Sequence, residues 1–491
     1  MSRLLRAFTI QLALFAIPVC AGAASGAGLP PAVIQALARA QVPASALSVV
    51  VQEAGTPRRT LISHEASVLR NPASVMKLVT TQAALELLGP AYTWKTPVYL
   101  DGPVRDGVLQ GNVYIQGQGD PQLVVERLWL LMRRLQGLGV RDIRGDIVLD
   151  HNAFEVPPAD PGDFDGEPLR PYNAAPDALL VNFRSVVLTF TPEAPGSPGS
   201  PSPQGNGATP RTARLSVEPP LAGVAWPAQV PLRTGPCGDY RGELRADFSD
   251  PLRPRFAGSY PSECGEKVWP LAFADPGSYA DRVVEGLWRH VGGELHGRVH
   301  EGRVPAGLAP AFSVESPPLT EIVRNINKYS NNVMAQQLFL TLSLQQRGRG
   351  TRADSRAIVD AWWREQLADA PTPPSISNGA GLSREDRISA AGLAALLQHI
   401  WSSPYMPELL SALPIAGLDG TLRPQRWRTD TMAHLKTGSL RDVTSIAGIV
   451  QATGGRRYVV VAIVNHPGAN AARPALEALV NWVARTPAAP Q

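Results

Sequence analysis

The chain has 491 residues, of which 44% are apolar and 18% charged, with a formal net charge of +4. This is enough apolar material to bury more than one core, so two or three domains are expected and a disordered or fibrous chain is excluded. The arginines are spread without a long basic run, and so small a net charge leaves no electrostatic footprint for nucleic acid.

Arg3 and Arg6 precede an apolar stretch from Ala7 to Val19, which is followed by Ala21-Gly22-Ala23. A charged start, a short apolar run and a small-x-small end describe a signal for export to the periplasm, with cleavage expected after Ala23; the run is too short to span a bilayer stably. Cys20 would suit lipidation if small residues preceded it, but Pro18 and Val19 stand there. Removing residues 1–23 leaves Cys237 and Cys264, which are expected to pair in an oxidising compartment. No histidine lies near either at metal-ligand spacing.

Pro31 to Ala40 reads as an amphipathic helix and Leu47 to Gln52 as a strand. Asn71-Pro72 then opens a helix that apolar positions carry to Gly89-Pro90, with Asn as cap and Pro in the first turn. Ser74 falls near its N-terminus, where developing negative charge is favoured, and Lys77 lies one turn along on the same face. Short strands follow at Val98 to Leu100, Val113 to Ile115 and Ile147 to Leu149, with a helix from Gln122 to Leu135. Leu179 to Thr191 and Ala213 to Val217 read as further strands. Pro192 to Thr212 is rich in Pro, Gly and Ser with almost no apolar residue, and is expected to be a loop or linker. Helical periodicity returns at Tyr279 to Val291, Thr320 to Leu342 and Ala353 to Leu367. The end alternates as antiparallel strands, His434 to Thr437, Ser445 to Gln451 and Tyr458 to Asn465, closed by a helix from Ala475 to Ala484. The apolar face of that helix, with Trp482, reads as packing against the sheet, so no membrane anchor is expected. Strand-rich material thus interrupts a mixed α and β domain.

Three short motifs carry chemistry: Ser74-Val75-Met76-Lys77, Ser330-Asn331-Asn332 and Lys436-Thr437-Gly438-Ser439. Alone, each is ordinary; Ser-x-x-Lys is a common helix start and Ser-x-Asn a frequent cap. In this order they supply what acyl transfer without histidine requires. Ser74 is the candidate nucleophile and Lys77 its base, neutral when desolvated beside a second cation, Lys436. Ser330 can relay a proton to the departing nitrogen, and Asn332 can hold the substrate amide. Lys436 and Thr437 suit a terminal carboxylate, Gly438 lets substrate backbone approach the strand edge, and the N–H groups of Ser74 and Ser439 can form an oxyanion hole. Lysine usage sharpens the case, since only five of the 46 basic residues are lysine: Lys77, Lys95, Lys267, Lys328 and Lys436. A chain that meets surface charge with arginine, which keeps its proton, has kept two of its few shiftable amines inside the motifs.

These motifs, together with Gly119-Asp120-Pro121, Leu413-Pro414-Ile415-Ala416-Gly417, Asp419-Gly420-Thr421-Leu422 and Gly381-Leu382-Ser383-Arg384, resemble the low-molecular-mass class C penicillin-binding proteins, D-alanyl-D-alanine carboxypeptidase/endopeptidases. The long separation of Ser74 from Ser330 matches that family's insertions. The resemblance implies an α/β (α+β) transpeptidase/β-lactamase-like domain (24–90 and 311–491) with two inserted strand-rich domains, one at 91–176 and 270–310 and one at 177–269. It implies serine-type cleavage of D-Ala-D-Ala in peptidoglycan stem peptides and acylation by β-lactams, without cofactor or metal. It also implies that Asp150, Phe154 and Arg384 face the diamino-acid side chain of the stem. One departure is Asn378-Gly379 before Ala380-Gly381-Leu382, where the family often shows Asp-Gly before Ser-Gly-Leu; an Asn side chain still supports the turn.

Two other readings compete. A β-lactamase needs a dedicated deacylating base, to which no residue commits, and a vestigial wall-binding scaffold need not keep the full residue set. A Ser-His-Asp hydrolase is poorer still, since there is no Gly-x-Ser-x-Gly elbow and the eight histidines show no partner spacing.

Overall fold

A computed structural model describes residues 28–56, 58–193, 211–423 and 432–487. The expected leader, and nearly all of the Pro/Gly/Ser-rich segment 192–212, lie outside the described residues.

The frame is a five-stranded antiparallel sheet whose strands run, edge to edge, Thr60–His64, Leu47–Glu53, Arg457–Asn465, Val443–Gln451 and Ala433–Leu440. Period-two alternation divides its side chains between two cores. Val49, Val51, Val460, Ala462 and Val464 pack with the helices Pro31–Arg39 and Arg473–Ala484. Val50, Val459, Val461 and Ile463 face the larger core, with the helices Lys77–Leu88, Leu319–Tyr329, Asn332–Arg347, Arg352–Gln366 and Ala390–Ser402. Both sheet faces are covered, which is why the inner strands Leu47–Glu53, Val443–Gln451 and Arg457–Asn465 are buried along most of their length.

Two helix readings are corrected. The segment after Asn71-Pro72 begins as a 3-10 turn, Ala73–Met76, before the α-helix starts at Lys77. The helical stretch expected from Thr320 to Leu342 is broken at Ser330, which adopts a left-handed conformation (φ 57°, ψ 38°) and ends one helix, while the Asn331 side chain accepts from the Met334 N–H and starts the next. Apolar periodicity continues through this break, because both helices bury their apolar stripes in one core. The strand expected over Leu179 to Thr191 is confined to Ser185–Pro192, since Asn182, Phe183 and Arg184 all take positive φ.

The inserted material forms two further five-stranded sheets. The first runs Val299–Glu301, Ile147–Asp150, Val113–Gln116, Lys95–Leu100, Phe312–Glu315; the second runs Tyr260–Pro261, Gln229–Arg233, Thr212–Glu218, Ser185–Pro192, Lys267–Ala272. They share one core with the helices Val125–Gly137 and Tyr279–His290. Asp177 ties this unit to the catalytic frame. Its backbone N–H and C=O both bond the Gln337 amide on the helix that begins at Asn332, at 2.9 and 2.7 Å, while its carboxylate takes His151 and Arg184.

Cys237 and Cys264 form a disulfide within the second inserted sheet region. Closing a loop of 27 residues constrains the unfolded chain. The double Cys→Ser variant should lose about 3 kcal/mol of unfolding free energy in the chain-entropy description. Denaturant unfolding monitored by tryptophan fluorescence measures this; an unchanged midpoint would contradict it.

Candidate active site

The turn that carries Ser74 is pinned from both sides. The Asn71 side chain accepts from the Ala73 N–H at 2.8 Å and donates to the Ser383 carbonyl at 2.7 Å. From the sheet, the Asn465 amide bonds both backbone groups of Asn71, and the Ser445 hydroxyl donates to the Pro72 carbonyl at 2.7 Å. Two glycines permit this approach. A Cβ on Gly381 (φ +73°) would fall 1.9 Å from the Ala73 carbonyl oxygen, and one on Gly438 would fall 2.5 Å from the Pro72 carbonyl oxygen. Only bare backbone fits at either place.

All three motifs converge here. The Lys77 Nζ lies 2.9 Å from Ser74 Oγ, 2.6 Å from Asn332 Oδ1 and 2.5 Å from the Ala380 carbonyl oxygen. The Lys436 Nζ lies 2.8 Å from Ser330 Oγ and 2.8 Å from the Thr437 carbonyl oxygen, and the Thr437 and Thr421 hydroxyls meet at 2.8 Å. Ser74, Ser330, Thr421, Thr437, Gly438 and Ser439 line one cleft of about 190 Å³. The left-handed Ser330 is what lets one chain segment offer its hydroxyl to Lys436 and, two residues on, the Asn332 amide to Lys77.

Both amines are fully buried. Burial, followed by the positive charge of Lys436, holds Lys77 well below the ordinary lysine value, with Asp386 opposing; burial alone brings Lys436 down to about 7. A neutral Lys77 keeps two N–H bonds and one lone pair. Asn332 Oδ1 and the Ala380 carbonyl can only accept, so they take the two N–H bonds, and the lone pair is left facing the Ser74 hydroxyl. That is the geometry of a general base.

Sequence reasoning missed the Ala380 carbonyl, because a main-chain acceptor has no residue signature. The departure at Asn378 is accommodated as expected: its side chain accepts from the Ala380 N–H at 3.0 Å and donates to the Leu382 carbonyl at 2.9 Å, holding the turn that aims that carbonyl. Thr421, quoted above only as part of a motif, shares the cleft with Thr437.

Asp150, Phe154 and Arg384 do not share one set of contacts. The Asp150 carboxylate is buried and occupied by the Asn152 N–H and amide and the Val304 N–H. Phe154 fills the space left by Gly119 and Gly350. Arg384 lies over the Phe164 ring, 5.0 Å from its centroid, and bonds Asp442 at 3.1 Å. Phe164 sits in a Pro-, Gly- and Asp-rich stretch without periodicity, which gave no sequence signal. Among the described residues, Asp142, Glu294 and His296 could offer a metal three atoms within 4.8 Å of one another. Arg144 already pairs with Asp142, and none of the three lines the Ser74 cleft.

A family model for the D-Ala-D-Ala carboxypeptidase 3 (S13) family matches residues 31–486. The chain belongs to that family. It is a serine-type hydrolase and a low-molecular-mass class C penicillin-binding protein. It is 28% identical over 415 residues to a D-alanyl-D-alanine carboxypeptidase of an Actinomadura species, covering 81% of this chain and 74% of the relative. It is 22% identical over 420 residues to the D-alanyl-D-alanine carboxypeptidase DacB of Haemophilus influenzae, covering 82% of each. The crystal structure of penicillin binding protein 4 (dacB) from Haemophilus influenzae superposes with a TM-score of 0.71 at 21% identity, covering 92% of this chain and 99% of that one. The transpeptidase-like fold with strand-rich insertions is therefore shared.

The base assignment carries a pH signature. Penicillin acylation of Ser74 should accelerate as pH rises through the depressed Lys77 value, because only the neutral amine accepts the proton. Lys77→Arg, which keeps its charge, should be slower by about 10²–10⁴ at every pH. Stopped-flow acylation rates from pH 5 to 9 measure this, and a pH-independent rate would contradict it.

Proposed function

We propose that this family member is a periplasmic serine D-Ala-D-Ala carboxypeptidase and D,D-endopeptidase of peptidoglycan that works through an acyl-enzyme on Ser74. The observation that carries the reading is the Lys77 amine between Ser74 Oγ and two acceptor-only oxygens. Ser74 Oγ attacks the penultimate D-Ala carbonyl carbon while its proton passes to Lys77. The N–H groups of Ser74 and Ser439 hold the oxyanion. Because Lys436 donates to Ser330 Oγ, the Ser330 hydroxyl is free to give its proton to the departing nitrogen as the C–N bond breaks. Lys436, Thr437 and Thr421 hold the terminal carboxylate, and Asn332 holds the amide. Water then cleaves the ester, returning a proton to Ser74 and releasing the shortened peptide.

The division into a catalytic unit and two inserted units is part of this proposal. The pairing of Phe312–Glu315 with Lys95–Leu100 favours a return to the catalytic unit after Glu315.

The exposed Arg384, with Phe164 beneath it, is the better-supported contact for the diamino-acid carboxylate of the stem. Arg384→Ala should lower kcat/KM for a diamino-acid stem about tenfold relative to one with a neutral side chain, the loss of one charge-assisted contact. Equal kcat/KM losses on the two stems, measured by D-Ala release, would contradict it.

Two tests separate the enzymatic reading from its rivals. D-Ala release from a peptide ending in D-Ala-D-Ala should be abolished in Ser74→Ala, together with the mass gain on penicillin. The penicilloyl adduct of the parent protein should persist for many turnovers' worth of peptide cleavage; rapid release of penicilloate would indicate a β-lactamase.

A further inference from the structure

A second, larger cavity of about 1010 Å³ meets the catalytic cleft at Ser330, which lines both. One wall is the second inserted sheet. Val186, Leu188, Phe190 and Leu215 on its inner face belong to the inserted core. The alternate residues Thr189, Arg214, Ser216 and Glu218 turn the opposite, polar face into the cavity. The other wall carries Tyr172 and Tyr329, which are 41% and 66% exposed although aromatic. Tyr329 directly precedes Ser330.

We propose that this groove holds the leaving strand of a D,D-cross-linked peptidoglycan dimer. The inference rests on the catalytic reading above, in which the departing nitrogen faces Ser330. When the leaving group is a single D-Ala, the cleft of about 190 Å³ suffices and the larger groove has no occupant. When it is the side-chain amine of a second stem, the same C–N bond breaks, the same proton goes to nitrogen, and a whole peptide must continue past Ser330. The groove begins there. Its chemistry fits that occupant: Arg214 meets stem carboxylates, Glu218 meets amines, Thr189 and Ser216 offer hydrogen bonds along the sheet face, and the two tyrosines give flat apolar surface beside polar tips.

The test compares two substrates in the full-length protein: a monomeric muropeptide with a pentapeptide stem, and a D,D-cross-linked muropeptide dimer. Thr189→Trp fills the groove from the sheet face, and Arg214→Glu reverses its charge without adding bulk. Each should lower kcat/KM on the dimer about tenfold while changing monomer trimming and penicillin acylation less than about twofold. Two variants are used so that a folding defect in one does not decide the matter. Dimer cleavage at the parent rate in both, or equal losses on monomer and dimer, would overturn the groove assignment. A parent protein that trims the monomer and leaves the dimer intact would overturn the groove alone. A parent inert toward both the monomer and penicillin would overturn the catalytic reading, and the groove with it.

Discussion

Everything in this molecule is arranged around two amines that are denied water. Lys77 and Lys436 are both fully buried, and among the described residues no carboxylate bonds either amine. A buried lysine paired with an acid would stay charged and serve structure; a buried lysine given only hydroxyls, an amide and carbonyls is driven toward its neutral form. The opposing charge, Asp386, is itself buried and its carboxyl is raised by that burial, so its pull on Lys77 is weakened. Lys328 is buried as well, and its pair with Asp419 at 2.5 Å joins the helix before Ser330 to the loop carrying Thr421.

Holding amines in this state requires that their acceptors be placed by rigid structure, and the fold does so with backbone devices. The left-handed residue at Ser330 splits one apolar stripe into two helices. The Asn71 cap and the bare glycines 381 and 438 let a sheet edge and a loop close on the Ser74 turn. Asp177 and Gln337 then lock the inserted unit to the helix that starts at Asn332, so the polar sheet face of the insertion is held beside the mouth of the cleft.

The sequence made the chemistry more legible than its surroundings. Ser74 with Lys77, Ser330 with Asn332, and Lys436 lie on three widely separated segments, yet their types and order pointed to the one cleft where the structure brings them together, because each proposed role admits few side chains. The lysine scarcity pointed the same way: Lys77 and Lys436 are buried, whereas Lys95 is mostly exposed. Four strands of the central sheet were readable within a few residues from their apolar and β-branched content, whereas the short edge strand Thr60–His64 was not. The helix break at Ser330 was not, because a left-handed backbone at a serine leaves the apolar period intact. The surroundings of the substrate-side residues were not legible for a related reason. Asp150 ends a strand and caps a turn with its carboxylate, a structural use that sequence cannot tell from recognition, while Phe164 lies in an irregular segment that only tertiary contact brings to Arg384. The Ala380 carbonyl could not be seen at all, as main-chain groups are common to every residue.

The central claim, that burial beside Lys436 holds Lys77 well below the ordinary lysine value, can be measured directly. With only five lysines in the chain, isotope-labelled lysine side chains give a sparse NMR spectrum, and Lys77→Arg assigns the resonance of interest. The account predicts that the Lys77 signal titrates well below the ordinary lysine value of 10.5. A Lys77 signal that stays in its charged position up to pH 9 would contradict the account.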